Sequence, residues 1–311
     1  MRPAVTVIVT SDYAVDDSVK SNEKLRRCLA ALSQQDVAEP VEFVVVESAE
    51  FDAGFAAELR QILPALRIIA GEGPSSAALK NAGARAASAD LVAFIDADCV
   101  AERGWLHEFL ATMRAHPEIA AVSGRTHYGG TRFLYRAMAL LSRSYLDQER
   151  AGYTRHVAIN NAGFRRSVFL SYPCPMDCGA HMSLLQSEAL RRAGHRFFFD
   201  PQLTVRHAYE GWPAERQIRR SLGYGVIRVR QIDGRVPYAS FARLGYLSIP
   251  VFAALRALHG GWNCIRRRRL YGVAWYELPA VFALAAIASA LEIPGMMRAV
   301  RHKPLDKTLF R

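Results

Sequence analysis

Residues 71–100 read GEGPSSAALKNAGARAASADLVAFIDADCV, and the fold class follows from how this stretch alternates. Gly71-Glu72-Gly73-Pro74 is a strong turn signal, because glycine and proline supply the backbone angles that reversals need. Residues 76–88 follow as an Ala-rich helix, and 91–95 (LVAFI) form a short apolar strand that runs into Asp96. The same unit recurs upstream. AVTVIVT at 4–10, VEFVVV at 41–46 and LRIIA at 66–70 read as strands, while 22–34 and 55–62 carry apolar residues at helical spacing. Four strands alternating with helices predict an α/β fold with a mostly parallel central sheet covered on both faces. Ligands of such sheets bind beyond the carboxyl ends of the strands. Ser11-Asp12, Glu47-Ser48, Gly71-Glu72-Gly73 and Asp96-Ala97-Asp98 all fall at those ends.

The bulk properties are compatible with this reading. With 311 residues the chain can bury a full core, and 51% hydrophobic residues argue against a polytopic membrane protein. A net charge of +11 favours an anionic partner: nucleic acid, acidic lipid or a phosphorylated substrate. Five cysteines in no repeating frame suit a reducing compartment. The opening MRPAVTVIVTSD is too short in its apolar run for a secretory signal and reads as the first buried strand.

Beyond residue 100 the spacing predicts a helix over 105–114, a strand over 120–124, a long helix over 133–150 and a helix over 184–193. Short strands at 196–199 and 203–206 follow. Near 240 the chemistry changes. Residues 245–258 and 278–291 are apolar, and Arg266–Arg269 is a run of four arginines between them. The expected organisation is a catalytic unit over 1–240 and an apolar, basic helical tail over 241–311.

Two carboxylates one residue apart after a buried strand carry the first chemical signal. In strand-like geometry Asp96 and Asp98 point to one side and repel unless a cation sits beside them. Mg²⁺ and Mn²⁺ take oxygen ligands and keep substrate phosphates in their shell, so the pattern suits diphosphate chemistry. The plainer alternative is a solvated loop in which Asp98 caps a helix.

The surrounding residues narrow the choice. The Gly71/Gly73 turn, Lys80-Asn81-Ala82-Gly83, the Ala-rich helix and the strand ending in Asp96-Ala97-Asp98 together resemble glycosyltransferase family 2, whose members share the GT-A fold. The likeness continues in the strands at 4–10 and 41–48, in NNAGFRRSVF at 160–169 and in ALRRAGHRFFFDPQLTVRH at 189–207. It spans about the first 210 residues. The resemblance implies that Asp96 contacts the ribose or base and that Asp98 binds the metal bridging the diphosphate. It places Glu47 where relatives carry an Asp that reads the base edge; the alternative is a strand-end carboxylate in water. Lys80 either offsets phosphate charge or is a solvated helix lysine, and His207 is either a second metal ligand or structural. Ser11 and Asn81 join these as substrate-binding candidates, and Asn160 and Asn161 open the segment where relatives position sugar or acceptor.

One departure stands out. Relatives that invert the anomeric centre carry a carboxylate near the start of the helix over 184–193, and here that place reads Gly179-Ala180-His181-Met182-Ser183. His181 and Asp177 are the candidate bases. A soft-metal reading of Cys174, Cys178 and His181 lacks a fourth ligand nearby. The expected activity is inverting, metal-dependent transfer of a sugar from a nucleoside-diphosphate sugar to a hydroxyl of a lipid-linked or envelope glycan. A non-catalytic nucleotide-sugar-binding protein of the same fold is the alternative. No nucleic-acid reader module accompanies the basic charge, so anionic lipid is the better partner. Helices lying in the interface on the cytoplasmic face of the plasma or inner membrane fit the tail better than a spanning hairpin, which would place Arg266–Arg269 on the far side.

Overall fold

A computed structural model describes residues 2–11, 18–47, 53–71, 73, 75–207 and 211–305, with the side chains of Ser11 and of residues 18–21 excepted. The expected strands form where their β-branched runs lie: β1 (Val5–Ser11), β2 (Val41–Glu47), β3 (Leu66–Ala70) and β4 (Leu91–Asp96). Between them run α1 (Ser18–Ser33), α2 (Ala53–Ile62) and α3 (Ser76–Ala86). The four strands pair in parallel in the order β3-β2-β1-β4. Period-two alternation sends Val5, Val7 and Val9 into one core layer and Ile8 into the layer on the opposite face. Thr10 and Asp96 share the α3 side. Gly83 lets α3 approach closely there, because a Cβ at that position would lie 2.4 Å from Ile8 Cγ2.

Beyond β4 the sheet becomes mixed. Short β5 (Cys99–Ala101) and α4 (Trp105–Ala115) precede β6 (Ile119–Tyr128), which is longer than the strand expected at 120–124. The helix expected over 133–150 stops early, as α5 (Phe133–Arg143). The chain turns at Ser144, and Asp147 is buried just beyond it. Then come β7 (Gly152–Thr154), β8 (Asn161–Arg165), α6 (Arg166–Ser171) and α7 (Met182–Arg192). The two short strands expected around Asp200-Pro201 are one, β9 (Arg196–His207), whose register slips opposite Gly124/Arg125. β8 pairs antiparallel with β4 and β6, β6 runs parallel to β9, and β5 and β7 lie antiparallel to β9.

The C-terminal region is α8 (Trp212–Ile232), α9 (Ser248–Arg267) and α10 (Leu278–Val300). Helix α8 was not expected from sequence. It meets α10 backbone to backbone: a Cβ at Gly223 would lie 2.0 Å from Glu292 O, and one at Gly295 would lie 1.9 Å from Arg220 O. At this crossing Glu292, almost fully buried, pairs with Arg219 at 3.5 Å and with Arg256 at 2.5 Å, and Arg219 also pairs with Glu215. The change of composition near 240 therefore marks a change of surface, while the packing runs through it. Two stretches, Ala239–Tyr271 and Trp275–Val300, are long and apolar enough to cross a membrane by length and composition, and only a minority of each is buried. The outward stripe of α10 carries Phe282, Ile287 and Ile293, and that of α9 carries Leu258, Trp262 and Ile265.

Candidate active site

The site assembles at the carboxyl ends of β1, β2 and β4, where α3 begins. Ser75 caps α3 by accepting from Ala78 N at 3.2 Å. One turn further in, Lys80 is completely buried, and its ammonium donates to Asp96 Oδ1 at 2.6 Å, Thr10 Oγ1 at 3.0 Å and Ser76 Oγ at 2.7 Å. A lysine with no exposed surface is sustained only by such pairing. Lys80 is thus not a solvated helix lysine; it is the charge that lets Asp96 stand at the strand end. The turn itself is fixed by backbone bonds, Ala97 N to Thr10 O and Asp96 N to Asn160 O.

Asp98 faces a different partner. Strand β5 pairs with β9 in a register that sets Cys99 opposite His207, and Asp98 Oδ2 lies 2.9 Å from His207 Nε2. The Cys99 thiol donates to Asp98 Oδ1 at 3.3 Å, and the Tyr128 ring packs at a tilt against the imidazole, 5.2 Å between centroids. Burial acts to raise the Asp98 carboxyl, but the charge and hydrogen bond of His207 outweigh it and hold the group at about 2. Asp96 is thus paired with the Lys80 ammonium, and Asp98 with the His207 imidazole.

Other predicted residues divide into those that face the site and those that hold it. Glu47 is buried at the end of β2, and its backbone carbonyl accepts from Gly71 N at 2.7 Å, so it is no carboxylate in open water. Asn81 exchanges two hydrogen bonds of 2.9 Å with the backbone of Cys174 and ties α3 to the loop before α7. Asn161 is fully buried, accepting from Trp105 Nε1 and donating to the carbonyls of Arg125 and Leu203. Both asparagines are occupied by the scaffold. Asn160 is half-buried beside Asp96, donates to Thr126 Oγ1 and accepts from Arg143 at 3.4 Å. The side chain of Ser11, together with Asp12, Ser48, Glu72 and Pro74, lies outside the described residues.

The two candidate bases differ sharply. His181 packs against α8 at Gly225, and burial followed by the charges of Arg256 and Arg230 pushes its imidazole down to about 3. An imidazole held neutral in this way is a poor proton acceptor, which favours Asp177 over His181 as the candidate base. Asp177 instead sits in the left-handed region at φ 56°, where aspartate is among the few side chains tolerated. Its carboxylate accepts from Tyr224 Oη at 2.6 Å and Arg228 Nε at 2.9 Å, yet stays 42% exposed. It lines a cavity of about 130 Å³ together with Ser75 and Ser76, the residues that start α3 and bond Lys80. Sequence reasoning missed Tyr224 and Arg228, because the helix bearing them was itself missed.

Among the described residues no three His, Cys, Asp or Glu side chains converge as a metal cage. Cys174 and Cys178 are buried thiols, each pushed up to about 12 by burial, and they do not form the soft-metal group with His181. The donor set available to an ion is Asp98 with His207. A carboxylate and an imidazole, with phosphate and water completing the shell, fit an octahedral divalent cation such as Mn²⁺ or Mg²⁺.

The sequence matches the description "Glycosyl transferase family 2" over residues 18–172, from α1 through the end of α6. This chain is a family 2 glycosyltransferase. Its fold agrees. A mannosyltransferase from Pyrobaculum calidifontis, solved with GDP-Man and Mn²⁺, superposes with a TM-score of 0.61 at 19% identity, over 97% of this chain and 88% of that one. S. aureus TarS 1–349, solved with UDP, aligns over 96% of this chain and 90% of that one at 15% identity and a TM-score of 0.49. No curated protein matches by sequence. The architecture is GT-A, and the family match covers β2, β3, β4 with its Asp96-Ala97-Asp98 turn, and β8, while β1 precedes it and Asp177 and His207 follow it.

Proposed function

We propose that this glycosyltransferase transfers a sugar from a nucleoside-diphosphate donor to an acceptor hydroxyl with inversion, using a Mg²⁺ or Mn²⁺ ion, and that its acceptor is a lipid-linked or envelope glycan. The single observation behind the donor reading is the pairing of Asp98 with His207 beside the Lys80–Asp96 pair. Asp96 is held toward the nucleoside by Lys80, and Glu47 offers a second acceptor at the neighbouring strand end. Asp98 and His207 would hold the ion, whose chemistry is to neutralise charge on the departing diphosphate. The Mn²⁺ and GDP-Man of the mannosyltransferase of shared fold support the same classes of ion and donor. Asp177 is the proposed base: it opens onto the cavity beside α3, and Tyr224 and Arg228 fix its direction toward an incoming hydroxyl.

The exposed apolar stripes of α9 and α10 support a peripheral or monotopic position on the cytoplasmic face of the membrane. Glu292 turns inward to Arg219 and Arg256, so the last turns of α10 belong to the packed domain and lie along the surface instead of crossing. A donor screen over nucleoside-diphosphate sugars, with and without Mn²⁺ and with a polyprenyl-phosphate-linked glycan as acceptor, tests the proposal. Transfer that needs one donor and the ion is the expected result. Ion-independent transfer, or donor binding with no transfer to any glycan acceptor, counts against it.

A further inference from the structure

A buried ion pair at the end of α5 has no part in the proposed chemistry. Arg143 is 7% exposed, and Asp147, one turn on, is 1% exposed. Arg143 Nη2 and Asp147 Oδ1 stand 3.6 Å apart, and neither has a hydrogen-bond partner among the described residues; Arg143 Nε has none there either. Burying polar atoms unbonded costs free energy, so an arginine in this place is a liability to packing alone. Among the described residues its guanidinium makes one hydrogen bond, from Nη1 to Asn160 Oδ1 at 3.4 Å. The carbonyl of Asn160 accepts from Asp96 N, and its amide donates to Thr126 Oγ1 at 3.1 Å. The ion pair therefore ends at the Asp96-Ala97-Asp98 turn.

Its other end is the connector between α9 and α10. Tyr271 Oη donates to Asp147 Oδ2 at 3.0 Å, and Arg267 donates to the Asp147 carbonyl. Burial, and then the Asp147 charge, push the Tyr271 phenol far above its ordinary value, so it stays a donor. The connector is seated on α5. Ala137 and Leu140 share an apolar cluster with Cys264, Val273 and Val281, and Arg136 pairs with Glu277 at 2.8 Å. Tyr271, Asp147, Arg143 and Asn160 thus form a series from the connector to the site. In a buried, low-dielectric row each group takes its position from the next. Tyr271 holds Asp147 by the shortest contact of the series, Asp147 holds Arg143 by charge, and Arg143 holds the Asn160 amide. Asp96 does not depend on this row, because Lys80 and Thr10 already fix its carboxylate. What the row adds is the direction of the half-buried Asn160 side chain beside the turn.

We infer that Tyr271, Asp147 and Arg143 are positioning residues for Asn160, which aligns the sugar for transfer, resting on the reading that Asp96 and Asp98 mark the donor site. The test is Tyr271→Phe in the full chain. Turnover is read as nucleoside-diphosphate release from GDP-mannose, UDP-glucose, UDP-N-acetylglucosamine and dTDP-rhamnose, with Mn²⁺ and a polyprenyl-phosphate-linked glycan present. Affinities for GDP, UDP and dTDP are measured by calorimetry. Turnover should fall about fivefold or more while nucleoside-diphosphate affinity stays within about twofold of the parent's. Glu277→Gln loosens the same connector without touching Asp147, and both quantities should stay within about twofold. In an Asn160→Ala background the link is gone, so Tyr271→Phe should cost less than about twofold in turnover. Unchanged turnover in Tyr271→Phe, an equal loss in Glu277→Gln, or the full loss repeated on top of Asn160→Ala overturns the series. If Tyr271→Phe melts early, Arg267→Gln is read instead, with a loss of about threefold or more expected in turnover alone. A parent that binds none of the nucleoside diphosphates and turns over no donor overturns the donor reading and this inference with it. The two failures are therefore told apart by the parent alone.

Discussion

The donor side and the acceptor side of this site are built on opposite plans. On the donor side Thr10, Glu47 and Asp96 stand at the ends of adjacent parallel strands, and Lys80 reaches Thr10 and Asp96 from the helix that follows β3. Dry apolar strands fix the geometry. On the acceptor side Asp177 sits on a loop and takes its direction from Tyr224 and Arg228 of α8. That helix is in turn pinned by Glu292 and Gly295 of α10. The lesson is that the nucleotide side depends on strand packing, while the side proposed to receive the acceptor depends on the C-terminal helices.

The strongest test of the donor side is Asp98→Ala. With the carboxylate gone, His207 alone is a poor site for a hard divalent ion, so Mn²⁺ should no longer enhance nucleoside-diphosphate binding, and turnover should fall about a thousandfold. The melting temperature should change little. Metal-dependent affinity equal to the parent's would remove the ion from the donor side and break the contrast at its centre.

Glu292→Ala probes the other plan. It leaves Arg219 buried beside Glu215 alone and frees Arg256, and breaking a buried ionic cluster of this kind costs about 3 kcal/mol. Thermal or urea unfolding should record that loss, and transfer to the acceptor should suffer more than nucleotide affinity. A stability loss with both activities preserved would mean that α10 does not govern the acceptor side.

Between these lies the base. Asp177→Asn keeps the bonds' shape and removes the proton acceptor, so kcat should drop about a hundredfold while donor affinity holds. His181→Gln should leave turnover within a few-fold of the parent. The same residue gives a pH signature. Burial holds the native imidazole at about 3, below its ordinary value, so between the two values the unfolded chain binds a proton that the native state refuses. Stability is full above the ordinary histidine value and is lost as pH falls toward 3. His181→Gln lacks this penalty, and its melting temperature should decline less than the parent's between pH 7 and pH 4.5. Parallel declines would show that the imidazole is protonated in the native state and restore it as a candidate base.

How much of this was legible in the sequence follows the same division. The strands through β4 announced themselves by β-branched runs, and Asp96-Ala97-Asp98 by its place after one of them. His207 was a single residue far along the chain, and only the pairing of β5 with β9 sets it against Asp98. Helix α8 was hidden because its buried face carries Glu215, Arg219, Gly223 and Gly225, which read as solvent-facing or helix-breaking when α10 is not in view. Lys80 stayed open between a phosphate partner and a solvated helix lysine for a related reason: its burial shows only once its three oxygen partners are known. Hydrophobic period reports burial against apolar neighbours, and it is blind to burial against charge.

The smallest expected effect concerns the apolar face of α9 and α10 that is proposed to meet a bilayer. Two terms hold that face, and they respond differently to salt. Each basic residue near an anionic surface contributes on the order of 1 kcal/mol, screened within about 8 Å at physiological ionic strength. The apolar stripes bearing Leu258, Trp262, Phe282 and Ile287 contribute a part that salt does not weaken. Arg266 and Arg269 are exposed, and Arg266 lies over the Trp262 ring at 5.9 Å, so they act where the stripe meets the headgroups. R266Q/R268Q/R269Q should therefore lower binding to phosphatidylglycerol vesicles by roughly tenfold at 50 mM salt, a modest share of the ideal sum. The difference should nearly vanish at 500 mM, where both proteins remain partly bound through the apolar face. Complete release of the parent by salt would show that charge alone holds the tail. A protein that binds no vesicle at either salt concentration would remove the membrane from the acceptor side altogether.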